Sequence, residues 1–147
     1  MAAPFDTLRL DVGTWDLALD SQNNIAVATA PYSVAQDMGS QCRQWRGEYI
    51  YNQADGVPLS SILGESPSLA LVKSDFAQAA AQVPGTSNTV CYISSVRDRL
   101  VTGQVQGTIV GTNTVIATSI GGQTIVIPTK SKFTLDISTL GGPDVLG

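Results

Sequence analysis

The sequence predicts an α+β protein in which helices precede strands. Apolar residues recur every three or four positions over residues 34–49 and 69–80, the period of a helix buried on one side. From residue 88 onward they alternate with polar residues, the period of a β-strand. Because the two patterns do not alternate along the chain, a parallel α/β fold is not indicated. We expect an N-terminal β-hairpin and two main helices packed on a mixed or antiparallel sheet, with an extra C-terminal β-hairpin and strand.

Composition narrows the classes of partner. The 147 residues predict one domain, and only 14% are charged while 43% are hydrophobic; charged residues usually make up roughly 25% of a soluble domain. A surface so poor in charge suggests that other proteins cover much of it. The net charge of −4 and the lack of a basic run argue against nucleic acid. No apolar run reaches the roughly 20 residues that a bilayer span needs, and MAAPFDTLRLDVG has no pattern of a secretory signal.

The N-terminal part predicts an arm followed by a hairpin. Residues 1–13 have no clear period and are expected to be irregular. Residues 15–20 and 25–29 are apolar enough for two strands, and the polar run 21–24 between them predicts the connecting loop. Pro31 ends this hairpin.

A first helix is predicted after the hairpin. Ser33 and Gln36 match a capping box, and Gly47 matches a helix stop. The opposite face is polar and mixed, and could simply be solvated. One face is defined by five apolar residues spaced by four, four, three and four positions: Val34, Met38, Cys42, Trp45 and Tyr49.

Residues 48–85 predict a short strand, a turn and a second helix. Glu48–Tyr51 alternates like a strand, and Asp55-Gly56 indicates a turn. Residues 58–64 suit a loop with one helical turn. Ser66-Pro67 suits a helix start, and 83–85 (Val-Pro-Gly) a helix stop. The buried face of this helix is predicted to contain Leu69, Val72, Phe76 and Ala80.

The remaining chain predicts antiparallel strands. Strands are expected at 89–96 and 100–110, joined by a reversal at 97–99, and at 114–120 and 123–127, joined by Gly121-Gly122. A further strand is expected at 132–137, followed by a loose tail. Gly103 and Gly107 indicate a bulge or the close approach of another chain.

Strands between Val115 and Ile137 are apolar for their length, so in a lone chain they would expose edges that invite pairing. Two readings stay open: a self-contained sheet, or strand exchange with a partner.

Candidate chemistry is sparse in this sequence. The chain has no histidine, no Walker motif and no dinucleotide fingerprint. Glu48, Asp55 and Glu65 are the conceivable carboxylate pairs for a glycosidase, but each suits an ordinary surface, turn or cap position. We therefore predict no catalytic residue, no cofactor and no metal.

Two other groups of residues suit structural roles in the protein interior. Cys42 and Cys91 are predicted to be buried, reduced thiols. The aromatic cluster at Trp45, Tyr49 and Tyr51 suits a protein core better than a sugar-binding platform.

The order of several motifs resembles a known family. The motifs are TWDLALD (14–20), NIAVAT (24–29), AQDMGSQCRQWRGEYIY (35–51), GVPLSSILG (56–64) and a helix–proline–strand unit (67–96). Together they resemble the sheath-initiator, or inner baseplate wedge, proteins of contractile-tailed bacteriophages. Some members were once labelled lysozyme-like, which the residues here do not support. The family often has Glu-Pro-Arg after the second helix, and of these only Pro84 is present here.

The resemblance implies a structural, non-enzymatic component of a phage tail baseplate. Members lie beside wedge proteins and the tail tube, in six copies per particle. They imitate a sheath subunit so that the first sheath ring adds to them, partly by strand exchange. The implied partners are wedge proteins, tail sheath protein and tube or tube-initiator proteins. The implied location is the virion, after assembly in the host bacterial cytoplasm.

On this interpretation, residues 1–13 form an arm, 14–110 a sheath-initiator-like core, and 111–147 a C-terminal β extension and tail. The alternatives are a tube-adjacent baseplate component and a cell-wall hydrolase. Eleven residues are predicted to contact partners: Val34, Met38, Trp45, Tyr49, Tyr51, Pro84, Val115, Ile116, Ile125, Val126 and Ile127.

Overall fold

The computed structural model describes residues 5–64, 66–97, 100–121 and 125–126, and it confirms the α+β class. Helices and strands follow one another in the order β1, β2, α1, α2, α3, β3, β4, β5 and β6. Their bounds are Thr7–Leu8 (β1), Val27–Ala28 (β2), Tyr32–Arg43 (α1), Leu59–Gly64 (α2), Leu69–Ala81 (α3), Thr86–Arg97 (β3), Leu100–Ile109 (β4), Val115–Ile120 (β5) and Ile125–Val126 (β6).

The main sheet is antiparallel, with the order β3-β4-β5-β6. Thr118 pairs with Ile125, a register centred between residues 121 and 122, where the sequence predicts a Gly-Gly loop. β5 is paired on both sides, by β4 and by β6. The expectation that strands from Val115 onward expose an edge is therefore wrong for β5. The predicted strand 132–137 and the tail lie outside the described residues.

The core lies between the helices and one face of this sheet. Met38 of α1 and Phe76 of α3 are buried there with Cys91 of β3, Val105 of β4 and Ile116 of β5. Because α1 contacts both β5 and α3, it links the second main helix to the main sheet. β5, which lies in the range 111–147 that the sequence assigns to a C-terminal β extension and tail, contributes Ile116 to this core.

The bulge predicted at Gly103 and Gly107 is present, whereas the segments that approach these glycines belong to the same chain. A Cβ on Gly107 would lie 3.3 Å from Met38 Sδ, so the missing side chain lets α1 approach β4. A Cβ on Gly103 would collide with the backbone carbonyl of Tyr92. Register shifts between Ser87/Val90 and Ile93/Ser95 mark two irregularities in the β3–β4 pairing.

Both cysteines are free and buried, as predicted.

Residues 5–29 form a small β unit, called here the N-terminal unit. Its segments pair cyclically: Arg9 N donates to Ala26 O (2.8 Å), Ala26 N to Ala18 O (2.9 Å), and Ala18 N to Arg9 O (2.9 Å). The predicted hairpin is present, with Leu19 opposite Ile25. The predicted irregular arm is wrong for residues 7–10, which supply the third paired segment.

The first helix differs from the prediction at both ends. It begins at Tyr32, after Pro31 as N-cap without a side-chain capping bond, so Ser33 caps nothing and is buried inside the helix. It ends at Arg43, and Gly47 (φ +91°) lies in a later turn. Gln36, predicted on a polar face that could be solvated, is also buried.

Two further predictions between residues 48 and 69 are wrong. Glu48–Tyr51 forms turns and no strand, because no neighbouring segment pairs with it among the described residues. The second main helix, α3, is capped by Ser68 rather than Ser66. Its Leu69 is therefore in the first turn and 47% exposed, whereas the predicted Val72, Phe76 and Ala80 are buried.

Candidate functional site

The candidate site is the outer edge of β3, the first strand of the main sheet. Within the described residues no strand pairs with that edge, so part of its backbone hydrogen-bonding capacity is unused. Natural edges are commonly protected by lysine or proline. The twelve residues Thr86–Arg97 contain neither, and no carboxylate. This edge is therefore chemically suited to accept another strand.

Contacts with α3 and β4 hold the edge strand in place. Thr89 Oγ1 donates to Ala77 O of α3 (2.8 Å), and Ser94 Oγ donates to Thr102 O of β4 (3.0 Å). Cys91 lies on the helix-facing side, while Val90 and Tyr92 are exposed on the other. The two register irregularities leave a regular stretch, residues 90–93, at the centre of the edge. A partner strand would thus meet a backbone already fixed in extended form.

A second exposed surface is the aromatic loop, residues 45–51. Trp45 and Tyr49 are about half exposed, and Tyr51 is 83% exposed. The rings of Tyr49 and Tyr51 meet edge to face with centroids 5.5 Å apart, an arrangement that stabilises aromatic pairs. The core prediction for this cluster is wrong, because the helix that was expected to bury Trp45 and Tyr49 ends before them.

Hydrogen bonds fix the start of the aromatic loop to the segment that follows it, and that segment is bonded to the end of α3. Arg46 N donates to Val57 O, and Val57 N donates to Gln44 O, both at 2.9 Å. Gln82, the C-cap of α3, accepts from Gln41 Nε2 of α1 (3.0 Å) and donates to Ala54 O (3.3 Å). The backbone at the start of the loop that carries the exposed rings is therefore held in a defined position.

A shallow concavity of about 390 Å³ lies beside the aromatic loop. Trp15 of the N-terminal unit and Arg43 of α1 line it, together with Glu48 and Tyr49. The Arg43 guanidinium carbon lies 3.8 Å from the centroid of the Trp15 ring, a cation–π contact. This contact joins the N-terminal unit to the end of α1.

The described carboxylates form no obvious acid–base pair. Glu48 Oε2 accepts from Trp45 N (3.1 Å), and Asp55 Oδ1 accepts from Asn52 Nδ2 (2.8 Å), so each stabilises its own turn. Glu65 lies outside the described residues. Burial raises the pKa of Asp37 to about 6, and no charged partner contributes to that shift.

Across the described part of the chain, no group of three or more histidine, cysteine or acidic side chains could hold a metal ion. No helix in that part is both long and apolar enough to span a bilayer.

The predicted contact residues separate into three groups. Val34, Met38 and Ile116 are at most 1% exposed and belong to the core, and Val115 is half-buried. Ile125 and Val126 form β6, and Ile127 lies outside the described residues. The members exposed to solvent are Trp45, Tyr49, Tyr51 and Pro84.

Sequence reasoning missed both the β3 edge and a third surface on the N-terminal unit, called here the aliphatic face. Leu8 is paired with Val27, Leu10 with Leu17, and Leu19 with Ile25. Alternation within the three segments (8 and 10, 17 and 19, 25 and 27) is the sequence signal for this face.

Comparison with known proteins gives one structural likeness to report. The chain matches no protein-family model and no curated protein sequence. Its fold is similar to the crystal structure of a protein from Geobacter sulfurreducens assigned as a tail lysozyme, with a TM-score of 0.50 and 13% identity. The match covers 74% of this chain and all of the other. At this identity the likeness shows a shared fold.

Proposed function

We propose that the protein is a structural component of a contractile phage tail baseplate. In this proposal it links the wedge and tube to the first sheath ring and nucleates sheath assembly by strand exchange. The observation that carries the proposal is the outer edge of β3, which is unpaired within the described residues and lacks lysine, proline and carboxylates.

The mechanism is templating by a pre-ordered edge. β3 is held by β4 on one side and by α3 on one face, so its backbone is already extended before a partner arrives. An added strand gains main-chain hydrogen bonds, while only the incoming segment pays the conformational entropy of ordering. The first sheath subunit would therefore add here more readily than to a second free subunit.

Three further observations support this role. The fold is shared with a protein assigned as a tail lysozyme, which associates the fold with phage tails. Charged residues make up only 14% of the chain, as suits a protein surrounded by other proteins. The motif order over residues 14–96 resembles sheath initiators. Six copies, a virion location and a non-enzymatic role follow from that resemblance as parts of the proposal.

Substitutions on the edge strand test the proposal. Val90→Lys and Tyr92→Lys each place a charge on β3, where lysine opposes strand addition. We expect the double variant to fold and to lose most sheath polymerisation on reconstituted baseplates, scored by electron microscopy. Leu71→Lys on α3 is the matched control, because Leu71 is equally exposed and lies away from the edge.

Normal sheath length with the double variant would contradict the role of this edge. Crosslinking in assembled particles tests the alternative position beside the tail tube. A crosslink to tube protein, with none to sheath protein, would favour a tube-adjacent component.

A cell-wall hydrolase is the second candidate, favoured by the assignment given to the structural neighbour. Glycoside hydrolysis generally requires two carboxyl groups across the scissile bond, and Glu48 and Asp55 are engaged within their own turns. The purified chain is therefore expected to release no sugar fragments from peptidoglycan. Release that is abolished by Glu48→Gln would favour the hydrolase instead.

A further inference from the structure

The aliphatic face of the N-terminal unit is larger than isolated exposed residues would explain. Residues paired across strands, and residues two apart in a strand, lie on the same side of a sheet. The pairs Leu8–Val27, Leu10–Leu17 and Leu19–Ile25 therefore place six aliphatic side chains on one face. Five of the six are between 48% and 62% exposed. Contiguous apolar patches of this kind indicate binding surfaces.

Carboxylates are concentrated in the unit that carries this face. Four aspartates and one arginine give residues 5–29 a formal charge of −3, out of −4 for the whole chain. Asp6, Asp11, Asp16 and Asp20 are all exposed. The single cation, Arg9, lies over the ring of Tyr32 at 5.0 Å. The negative charge of the protein is thus concentrated in the unit that carries the aliphatic face.

Local hydrogen bonds keep two of these aspartates ionised. The bond from the Thr14 backbone lowers the pKa of Asp11, and the bond from the Asn24 backbone lowers the pKa of Asp20. Both carboxylates also border a concavity of about 680 Å³, whose apolar lining includes Leu10, Leu19, Ile25 and Val27. An occupant of this concavity would contact aliphatic side chains and carboxylates together.

We propose that the aliphatic face docks a protein segment carrying an aliphatic stripe bordered by lysine or arginine. Charge complementarity selects this occupant, because like charges placed opposite one another across an interface cost several kcal/mol in general. A second copy of this chain would bring another −3 unit against the first. The proposal is independent of the β3 edge and of the phage-tail role, since it rests on a different element.

The test uses the full chain and two synthetic amphipathic peptides, each with a leucine stripe. One peptide has lysines beside the stripe, and the other has glutamates at the same positions. Fluorescence anisotropy should detect the lysine peptide with an affinity that falls as salt is added, and no binding of the glutamate peptide.

Paired substitutions locate the binding. Leu19→Ser with Val27→Ser should weaken binding by roughly tenfold or more, since a tenfold change corresponds to no more than the burial of one aliphatic side chain and this variant removes two. Leu71→Ser with Val110→Ser removes equally exposed side chains elsewhere and should have no effect.

Asp6→Asn with Asp16→Asn tests the charge without altering the apolar side chains. It should weaken binding of the lysine peptide and reduce its salt dependence, while Glu48→Gln with Asp75→Asn should not. Because Asp6 and Asp16 are exposed, this variant keeps the test valid if the serine variant fails to fold.

Three results would overturn the proposal. One is equal binding of both peptides. Another is binding that neither N-terminal variant changes. The third is a concentration-dependent dimer that Leu19→Ser with Val27→Ser abolishes, since the occupant would then be a second copy.

Discussion

Gln36 shows how one buried amide can organise a region. Its Oε1 accepts from Leu10 N (2.8 Å), and its Nε2 donates to Leu8 O (2.8 Å) and to Thr7 Oγ1 (3.4 Å). The side chain is 2% exposed and supplies a partner to backbone groups of the N-terminal unit. This explains why a residue suited to a capping box is used instead to attach residues 7–10 to α1.

Asp37, the next residue on α1, is predicted to oppose folding at neutral pH. Burial raises the pKa of its carboxyl from 3.8 to about 6. Between pH 3.8 and about 6, Asp37 is protonated in the folded protein but has released its proton in the unfolded chain. The contribution of the Asp37 carboxyl to the free energy of unfolding is therefore greatest below pH 3.8. It falls as the pH rises to about 6 and is constant above that pH.

The variant Asp37→Asn tests this effect. It should be more stable than the parent at about pH 7.5 by about 1 kcal/mol, a value reduced because the group is partly exposed to solvent. The gain should vanish near pH 3.5, where both proteins are uncharged at this position. Urea unfolding at the two pH values measures it, and an equal gain at both would show that charge burial is not the cause.

At the scale of the element, the start of α3 offers a test in which sequence and structure disagree. Ser68 Oγ accepts from Leu71 N at 3.3 Å, whereas the sequence places the cap at Ser66. Ser68→Ala should lower the free energy of unfolding by about 1 kcal/mol. Ser66→Ala should change it little, because Ser66 is exposed and precedes the cap. Urea unfolding measures both variants. A larger loss of free energy of unfolding for Ser66→Ala than for Ser68→Ala would show that Ser66 is the cap, as the sequence predicts.

The elements that the sequence predicts well are those with long, uninterrupted periods. β3 and β4 are found within three residues of their predicted ends, and the Val72, Phe76 and Ala80 face of α3 is buried as expected. The start of α1 differs from the prediction because it depends on contacts with the N-terminal unit, which no local pattern contains. The predicted strand at 48–51 is absent because the alternating Tyr49 and Tyr51 form an exposed aromatic pair.

The candidate site was harder to predict than the fold. Sequence indicated that some strand edge is open, but which edge depends on strand order, and β5 proved to be internal. The aliphatic face is assembled from three segments of two or three residues each. Alternation over so few residues is only a weak signal in a single sequence.

At the scale of the whole molecule, β5 joins the C-terminal part of the chain to the same core as the helices. It pairs with β4 over six residues, and its Ile116 and Ala117 are fully buried. Residues of β5 therefore share the core of the helices.

A chain ending at Gly111 tests this continuity. It should lose cooperative urea unfolding, because removing β5 opens the face of α1 that contacts it and exposes the edge of β4. Circular dichroism during urea titration measures the transition. A truncated chain that unfolds cooperatively at the parent midpoint would show that β5 is dispensable.

The contact of Trp15 with Arg43 has a spectroscopic consequence. The chain has two tryptophans: Trp15 is partly covered at the junction of the N-terminal unit with α1, and Trp45 is about half exposed on the aromatic loop. With Trp45 replaced by phenylalanine, intrinsic fluorescence reports the environment of a single indole at that junction. Detachment of the N-terminal unit from α1 can then be followed optically in unlabelled protein.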